Sequence, residues 1–458
     1  MQDGVLSYIS VSVRPVKSAH EHNNSIQGKS TILTTQVLRS LTHKCKRYAK
    51  LIFEHQAGFY FFHFLHRVTG DLTILPNLKH RRFAGQRDGT VIICPPGGGN
   101  IGDQALAESA AWNSRGRISM LVRNSSDYTL PLWLSSRQIS IIETPHLLYG
   151  TSFLHFRDVW RFALLARRSE SVKIIGADIM DGSYQPRASM LRWSIAALAS
   201  SCGASASILG FSWNAAPIAS SVAGLNFANK RVALWARDPV SYQRLQKWGA
   251  THVRQCADIV FAHPVRSLPG QFRELPESVE QQIRELNNYV IINASGLIGA
   301  EAHVIGEYRS IIRFFHNEGV PVILLPHVTR SASDIECLRL LHNMTCRKSV
   351  LVETLLTPAQ IAELTSAALL VVTGRMHLAV LSAAMETPAL TLSTQGKVEG
   401  LYELLERPHW ALNSSSKFSL QVRNAYKEIV TTHARFPSED ASIKLRRLSV
   451  APFTADHL

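Results

Sequence analysis

From Thr90 onward, short apolar runs of β type alternate with helix-like segments, and this alternation constrains the fold more than any other feature of the chain. The first runs are TVIIC (90–94), ISMLV (118–122), VKIIG (172–176), SILGF (207–211) and VALWA (232–236), with segments such as ALAESAAW (105–112) and ASMLRWSIAALAS (188–200) between them. Strands that are apolar throughout belong in a parallel sheet covered by helices on both faces. A second series begins near residue 289 with YVIINAS and continues through PVILLPH, SVLVE, ALLVVTG, HLAVLSAAME and PALTL. Between the two series, HPVRSLPGQFRELPES (263–278) has three prolines and no periodicity. The expectation is an α/β fold of two Rossmann-like domains facing a cleft, spanning 89–265 and 279–410, with a linker at 266–278. A basic, partly helical extension (1–88) precedes them, and a tail (411–458), helical in part, follows.

At 458 residues the chain has room for two such cores. The formal net charge is +15, and residues 1–90 contribute +8 of it, with 13 Lys/Arg against 5 Asp/Glu. That imbalance suits an anionic ligand, a membrane surface or nucleic acid. No zinc knuckle, RNP-type aromatic motif or long Arg/Lys run supports nucleic acid. From about Thr34 to Val68 the periodicity predicts a helix, with Leu38, Leu41, Tyr48, Leu51 and Ile52 on one side and Arg39, Lys44, Lys46, Arg47 and Lys50 elsewhere. Such a helix either packs on the main domain with a solvated basic face or lies on an anionic membrane. The scattered cysteines (45, 94, 202, 256, 337, 346) contain no CxxC pair and read as reduced thiols of a cytoplasmic protein, peripheral at most to the inner face of a membrane. LIFEHQAGFYFFHFL (51–65) is too short and too polar for a span.

The stretch CPPGGGNIGDQAL (94–106) follows a strand and opens a helix. Gly97-Gly98-Gly99-Asn100-Ile101-Gly102 formally satisfies GxGxxG, the dinucleotide fingerprint. Two features oppose that reading: the next strand ends at Arg123 rather than at an acidic residue, and Asp103 would repel a pyrophosphate. What remains is either a tight turn needing positive φ or a backbone cradle in which Gly98, Gly99, Asn100 and Gly102 approach an anion or a sugar at a helix N-terminus. Asp103 serves as a helix-capping group or as a base.

Further candidates stand at the carboxyl ends of strands, where open α/β sheets bind ligands. Asp178 and Asp181, after VKIIGA, are bases or turn-forming caps. Arg237, after VALWA, is an anion fork or the partner of Asp238 or Asp258. LLVVTGRMHLAVLSAAMETPALTL (369–392) presents Arg375 and His377 at a helix entrance. A guanidinium can hold a phosphate or carboxylate with two parallel hydrogen bonds, and a histidine can move a proton near neutral pH. Lys397, Glu399 and His327 (in LLPH) are placed near the same rim.

The GGGNIGDQAL loop, GADIMDG, ARDPVS with the following Asp258, LPH and TGRMH…P…K…GL together resemble the polysaccharide pyruvyl transferase family, in order from about residue 90 to 405. The resemblance implies a fold similar to GT-B glycosyltransferases. It also implies transfer of pyruvate from phosphoenolpyruvate onto two hydroxyls of one sugar, in a polysaccharide or its lipid-linked precursor, as a cyclic ketal. On that reading His377 is the general acid and Asp103 or Asp178 handles the acceptor hydroxyl. Arg237, Arg375, Lys397, His327 and the glycine loop bind substrates, and neither metal nor cofactor is needed beyond the phosphoenolpyruvate donor. Two features depart from the family pattern: HLAV follows the motif where HA is usual, and Ser393-Thr394-Gln395 stands where a tyrosine often precedes the lysine. The alternatives are a nucleotide-sugar-dependent glycosyltransferase and a non-catalytic polysaccharide-assembly protein of the same fold.

Overall fold

The computed structural model describes residues 51–74, 87–296, 301–330, 333–393, 396–415, 417–432 and 436–454. Residues 54–458 form one compact unit, separate from residues 1–53. The basic positions Arg39 to Lys50 of the predicted N-terminal helix lie outside the described residues.

Two parallel sheets organise the larger unit. The first contains β1 (Thr90–Ile93), β2 (Ile118–Val122), β3 (Ile139–Glu143), β4 (Ser171–Ala177), β5 (Ser205–Phe211), β6 (Ala233–Ala236) and β7 (Val253–Gln255), in the order β3-β2-β1-β4-β5-β6-β7. The second contains β8 (Tyr289–Asn293), β9 (Val322–Leu324), β10 (Val350–Leu351), β11 (Ala368–Thr373), β12 (Ala389–Ser393) and β13 (Ala411–Asn413), in the order β10-β9-β8-β11-β12-β13. Every strand pair is parallel. This is the expected α/β, doubly Rossmann-like architecture.

The central strands β1, β4 and β8 are buried along their whole length, as their uninterrupted apolar runs require. In each sheet the strand order reverses once, between β1 and β4 and between β8 and β11. At such a switch point neighbouring loops leave in opposite directions and open a crevice beyond the strands' carboxyl ends. The glycine loop follows β1 and Asp178 follows β4, while the TGRMH segment follows β11, so both switch points carry sequence-predicted residues.

The edges differ from the sequence reading. β3, β7 and β13 were not anticipated: β3 is half exposed along its length, and β7 and β13 have three residues each. β13 sits in the segment read as a tail, and the last helix, Glu439–Thr454, runs back to the first sheet, where Phe453 lies 5.6 Å beneath the Lys173 ammonium.

N-terminal to the first sheet, helix Gln56–Asp71 packs on helices Phe153–Arg168, Pro186–Ser201 and Ala219–Ala228. Its inner face sets two histidines, His63 and His66, among Gly58, Phe59, Phe62 and Gly70. His155 Nδ1 sits 2.8 Å from the His146 carbonyl, which can only accept, so Nδ1 carries the proton and Nε2 accepts from His66 Nε2 at 2.8 Å. His66 Nδ1 then accepts from Ser194 Oγ at 2.7 Å, and Ser194 Oγ accepts from His63 Nδ1 at 3.1 Å. One directional chain thus satisfies three neutral imidazoles, and burial pushes all three toward the neutral form.

Candidate active site

The two switch points face one another across a cleft of about 260 Å³. On the first wall, Gly97, Gly98 and Gly99 have φ of 66°, 66° and 78°, a run that only glycine adopts without strain. The loop then turns into helix Ile101–Asn113, capped by Asn100, whose Oδ1 accepts from the Gly102 amide at 3.0 Å.

Most amides of this loop already have partners. Gly97 N–H donates to Asp103 Oδ2, Gly98 N–H to the Asp127 carbonyl and Ile101 N–H to the His327 carbonyl. The Gly99 carbonyl accepts from Thr329 N–H at 2.9 Å, and Asn100 bridges to Val328. A Cβ on Gly99 would sit 2.6 Å from Thr329 Oγ1, and one on Gly102 would sit 2.4 Å from His377 Nδ1. The loop is therefore a joint between the sheets, and Gly102 makes room for the His377 ring.

Asp103 lines the cleft and is buried, which pushes its carboxyl up to about 6 even though His377 and the Gly97 amide favour the ionised form. Asp178 also lines the cleft, after Ala177, a non-glycine residue at φ 46°. Burial alone would raise the Asp178 pKa, but Arg237 and Lys397 outweigh it and hold the carboxyl well below the usual range. Asp181 is buried beneath: Oδ1 accepts from the Ser183 amide and Oδ2 from that of Asn214, so it builds a turn.

Arg237 does not line the cleft. Its buried guanidinium donates to Ser212 Oγ at 2.7 Å, to Asp258 Oδ2 at 3.3 Å and to Asp178 Oδ1. It pairs with Asp258, as one sequence reading allowed, but not with Asp238, which caps helix Pro239–Lys247 through the Ser241 amide. Arg237 is thus a positioning residue for two carboxylates, and the geometry moves it out of the group of anion-binding forks.

The second wall carries cations and imidazoles. Lys397 Nζ reaches across the cleft to Asp178 Oδ2 at 2.5 Å, and His377 Nε2 lies 3.5 Å from Asp258 Oδ2, long for a hydrogen bond but close for an ion pair. Lys397, Asp178, Arg237 and Asp258 form one charge-alternating chain through both walls, with the His377 imidazole at its end. Burial would raise the Asp258 pKa, yet His377 and Arg237 keep it below the ordinary value. His327 is 1% exposed on the cleft wall, and neither ring nitrogen has a hydrogen-bond partner among the described residues. Burial, then His377 and Arg375, hold it neutral.

Arg375 also lines the cleft, donating from Nε (3.1 Å) and Nη2 (2.7 Å) to Asp334 Oδ1. Sequence reasoning missed Asp334. This fully buried carboxylate accepts from the amides of Gly296, His327 and Val328 and from Asn293 Nδ2, so it ties together the loops after β8, β9 and β11. Its only sequence signal was an ordinary one, an aspartate opening a helix. Tyr184 was missed too. It is 44% exposed at the cleft mouth, with its ring 5.7 Å from Lys397 Nζ. Glu399 accepts from Ser393 Oγ and does not line the cleft. A larger open groove, about 730 Å³, lies beside β10 and holds none of the sequence-predicted residues. Among the described residues no cluster of three or more His, Cys, Asp or Glu is placed to hold a metal.

The sequence model of the family described as polysaccharide pyruvyl transferase matches residues 121–396, more than half of the chain. The chain belongs to the polysaccharide pyruvyl transferase family. Membership makes it a transferase of polysaccharide biosynthesis. The matched span contains Asp178, Arg237, Asp258, His327, Asp334, Arg375 and His377, whereas the glycine loop and Lys397 fall just outside it.

No curated protein is similar enough in sequence to match the chain. Among solved structures, UDP-GlcNAc 2-epimerase from Methanocaldococcus jannaschii superposes with a TM-score of 0.52 at 12% identity, covering 78% of this chain and 97% of that one. The enzyme from Neisseria meningitidis, bound to UDP-GlcNAc, gives 0.53 at 10% identity, covering 80% and 97%. At these identities the likeness speaks for the fold alone, and that fold is GT-B.

Proposed function

We propose that this pyruvyl transferase takes pyruvate from phosphoenolpyruvate and places it, as a cyclic ketal, on two hydroxyls of one sugar in a polysaccharide or its lipid-linked precursor. The observation that carries the reading is the charge division of the cleft: Arg375, Lys397, His377 and His327 on one wall against Asp103 and Asp178 on the other. Phosphoenolpyruvate is a small molecule with a phosphate and a carboxylate, and Arg375 and Lys397 are the cations available to receive them. His327, neutral and without a hydrogen-bond partner among the described residues, offers one nitrogen as donor and the other as acceptor to the bound substrates.

His377 delivers a proton to the donor's methylene carbon, making C2 an oxocarbenium centre. One sugar hydroxyl adds to C2 and loses its proton, phosphate then leaves with the C–O bonding pair, and the second hydroxyl closes the ring with loss of a second proton. Of the two protons released, one offsets the proton consumed at the methylene and the other accompanies the phosphate. Asp103, raised to about 6, is better matched to accept a hydroxyl proton than Asp178, whose ion pairs make it a weak base. Asp178 instead positions Lys397, and Asp258 orients the His377 ring. The chemistry needs no metal, because the cations can stabilise the departing phosphate.

Calorimetric titration with phosphoenolpyruvate, beside Arg375→Ala, tests the donor. Saturable binding that the variant loses is expected. Binding of a nucleoside diphosphate in its place would overturn the reading in favour of a nucleotide-sugar transferase.

A further inference from the structure

Helix Gln56–Asp71 carries aromatic side chains on its solvent face as well as on its buried one. Its buried face presents Gly58, His63, His66 and Gly70 beside Phe59 and Phe62. Its outer face carries Tyr60 (51% exposed), Phe61 (57%), Phe64 (63%) and Val68 (44%), and Leu72 (50%) follows one turn on. The 60, 64, 68, 72 spacing sets four of these in a single stripe along the helix. A surface helix ordinarily turns such a stripe toward the core, and contiguous apolar patches of this kind mark a docking face.

The neighbouring helix, Phe153–Arg168, repeats the pattern. The two helices pack together through His66 and His155, with Phe62 and Phe156 against the same imidazoles. Its solvent side carries Phe153 (82% exposed), Leu154 (39%) and Trp160 (38%), interleaved with exposed Arg157, Arg161 and Arg168. Its one carboxylate, Asp158, is fully buried, bound to the His146 amide and paired with Arg157. The two helices together hold five arginines (67, 157, 161, 167 and 168) against a single exposed carboxylate, Asp71. Aromatic and aliphatic side chains among arginines, with carboxylates withdrawn, match the boundary between acyl chains and anionic headgroups.

We propose that these two helices form a docking surface for an anionic lipid bilayer. The described helices are too short and insufficiently apolar to cross a membrane, so the contact is peripheral. Helix Phe153–Arg168 starts at the carboxyl edge of the first sheet, the edge that also bears the cleft. Helices lying flat on the surface hold that edge beside the bilayer, where a lipid-linked acceptor would lie. Only that purpose rests on the proposed reaction. The docking itself is argued from exposed residues alone and does not involve Arg39 to Lys50.

The test is cosedimentation of the full-length chain with vesicles of phosphatidylcholine alone or mixed with phosphatidylglycerol, without donor or acceptor. The wild type is expected to bind the anionic vesicles. The double variant Phe61→Glu/Phe64→Glu should bind at least about tenfold more weakly, since two large apolar side chains no longer enter the interface. Arg161→Gln should weaken binding and flatten its salt dependence. Thermal unfolding unchanged by Phe61→Glu/Phe64→Glu excludes misfolding as the cause. No wild-type binding, equal binding by the glutamate variant, or a soluble dimer that the glutamate variant dissolves would each overturn the proposal. Binding that survives it but is lost on charge reversal of Arg39, Lys46, Arg47 and Lys50 also overturns it, by moving the contact to the N-terminal segment. Because no phosphoenolpyruvate is present, failure here leaves the donor titration untouched, and the converse holds.

Discussion

The two walls of the cleft are built by the same rule and equipped in opposite ways. Each is the switch point of a parallel sheet, yet the first contributes carboxylates and the amide of Asn100, while the second contributes a guanidinium, an ammonium and two imidazoles. The first wall's basic group, Arg237, is buried behind Asp178 and Asp258, and the second wall's acidic group, Asp334, is buried behind Arg375. Each wall thus hides the charge opposite to the one it shows. A cleft so divided can hold an anion on one side and draw protons from a neutral hydroxyl on the other.

The largest effect expected from breaking this division is at His377. Replacing it by alanine removes a second-wall group placed against both Gly102 and Asp258. Turnover of phosphoenolpyruvate should fall about 10²–10⁴-fold, the usual worth of a positioned acid. Thermal unfolding should move little. Calorimetry should still detect the donor, because Arg375 and Lys397 remain. Loss of donor binding together with turnover would instead make His377 part of the anion site.

Asp103→Asn sharpens the comparison from the other wall. A carboxyl raised from 3.8 to about 6 binds its proton more tightly in the folded protein. Its contribution to stability is complete below pH 3.8 and is lost as pH rises through about 6, so at neutral pH the ionised group destabilises the fold by up to about 3 kcal/mol. The amide should therefore raise the unfolding temperature at pH 7 while lowering kcat/KM. In the wild type, kcat/KM should fall as pH drops through about 6. An active Asp103→Asn variant would transfer the role of base elsewhere and leave Asp103 as the acceptor that holds the glycine loop through the Gly97 amide.

Much of this was legible in the strings themselves, and the remainder has physical reasons. Buried central strands announce themselves by unbroken apolar runs, so β1, β4, β8 and β11 could be read directly. β7 and β13 are too short to carry a period, and β3 mimics a loop because it is half exposed. On the second wall the functional groups are side chains at a helix entrance, and TGRMH reads as chemistry. The glycine loop was ambiguous because backbone freedom serves a ligand and a close-packed joint equally well. Only the partners of its amides, His327, Asp127 and Asp103, distinguish the two. Arg237 looked like a fork because sequence shows a cation after a strand but not the two aspartates that enclose it. Asp334 and Tyr184 had no signal of their own, since their importance comes from groups 41 and 213 residues away, Arg375 and Lys397.

Gly102→Ala asks directly whether the loop is a joint. The glycine has an ordinary helical backbone, so conformational strain is absent and the effect is steric: a methyl group would stand 2.4 Å from His377 Nδ1 and 2.9 Å from its Cβ. The ring must shift or the walls must part. Activity should fall at least tenfold, while affinity for phosphoenolpyruvate, held from Arg375, should change less. A variant that loses donor affinity and keeps its turnover would mean that the loop cradles the donor after all.

The smallest effect is expected at the outer end of the same joint. Arg330 donates to Asp127 Oδ1 at 2.8 Å, bracing the loop after β9 against the turn that receives the Gly98 amide. The arginine is 64% exposed, so the pair is screened, and Arg330→Ala should cost about 0.2–1 kcal/mol, less at high salt. Equilibrium unfolding in urea at two salt concentrations would measure it. The backbone bonds from Thr329 to Gly99 and from Ile101 to His327 hold the walls together without this pair, and catalysis should be nearly unchanged. A large loss of activity in Arg330→Ala would mean that the relative placement of the walls is set at their exposed rim and not along the glycine backbone.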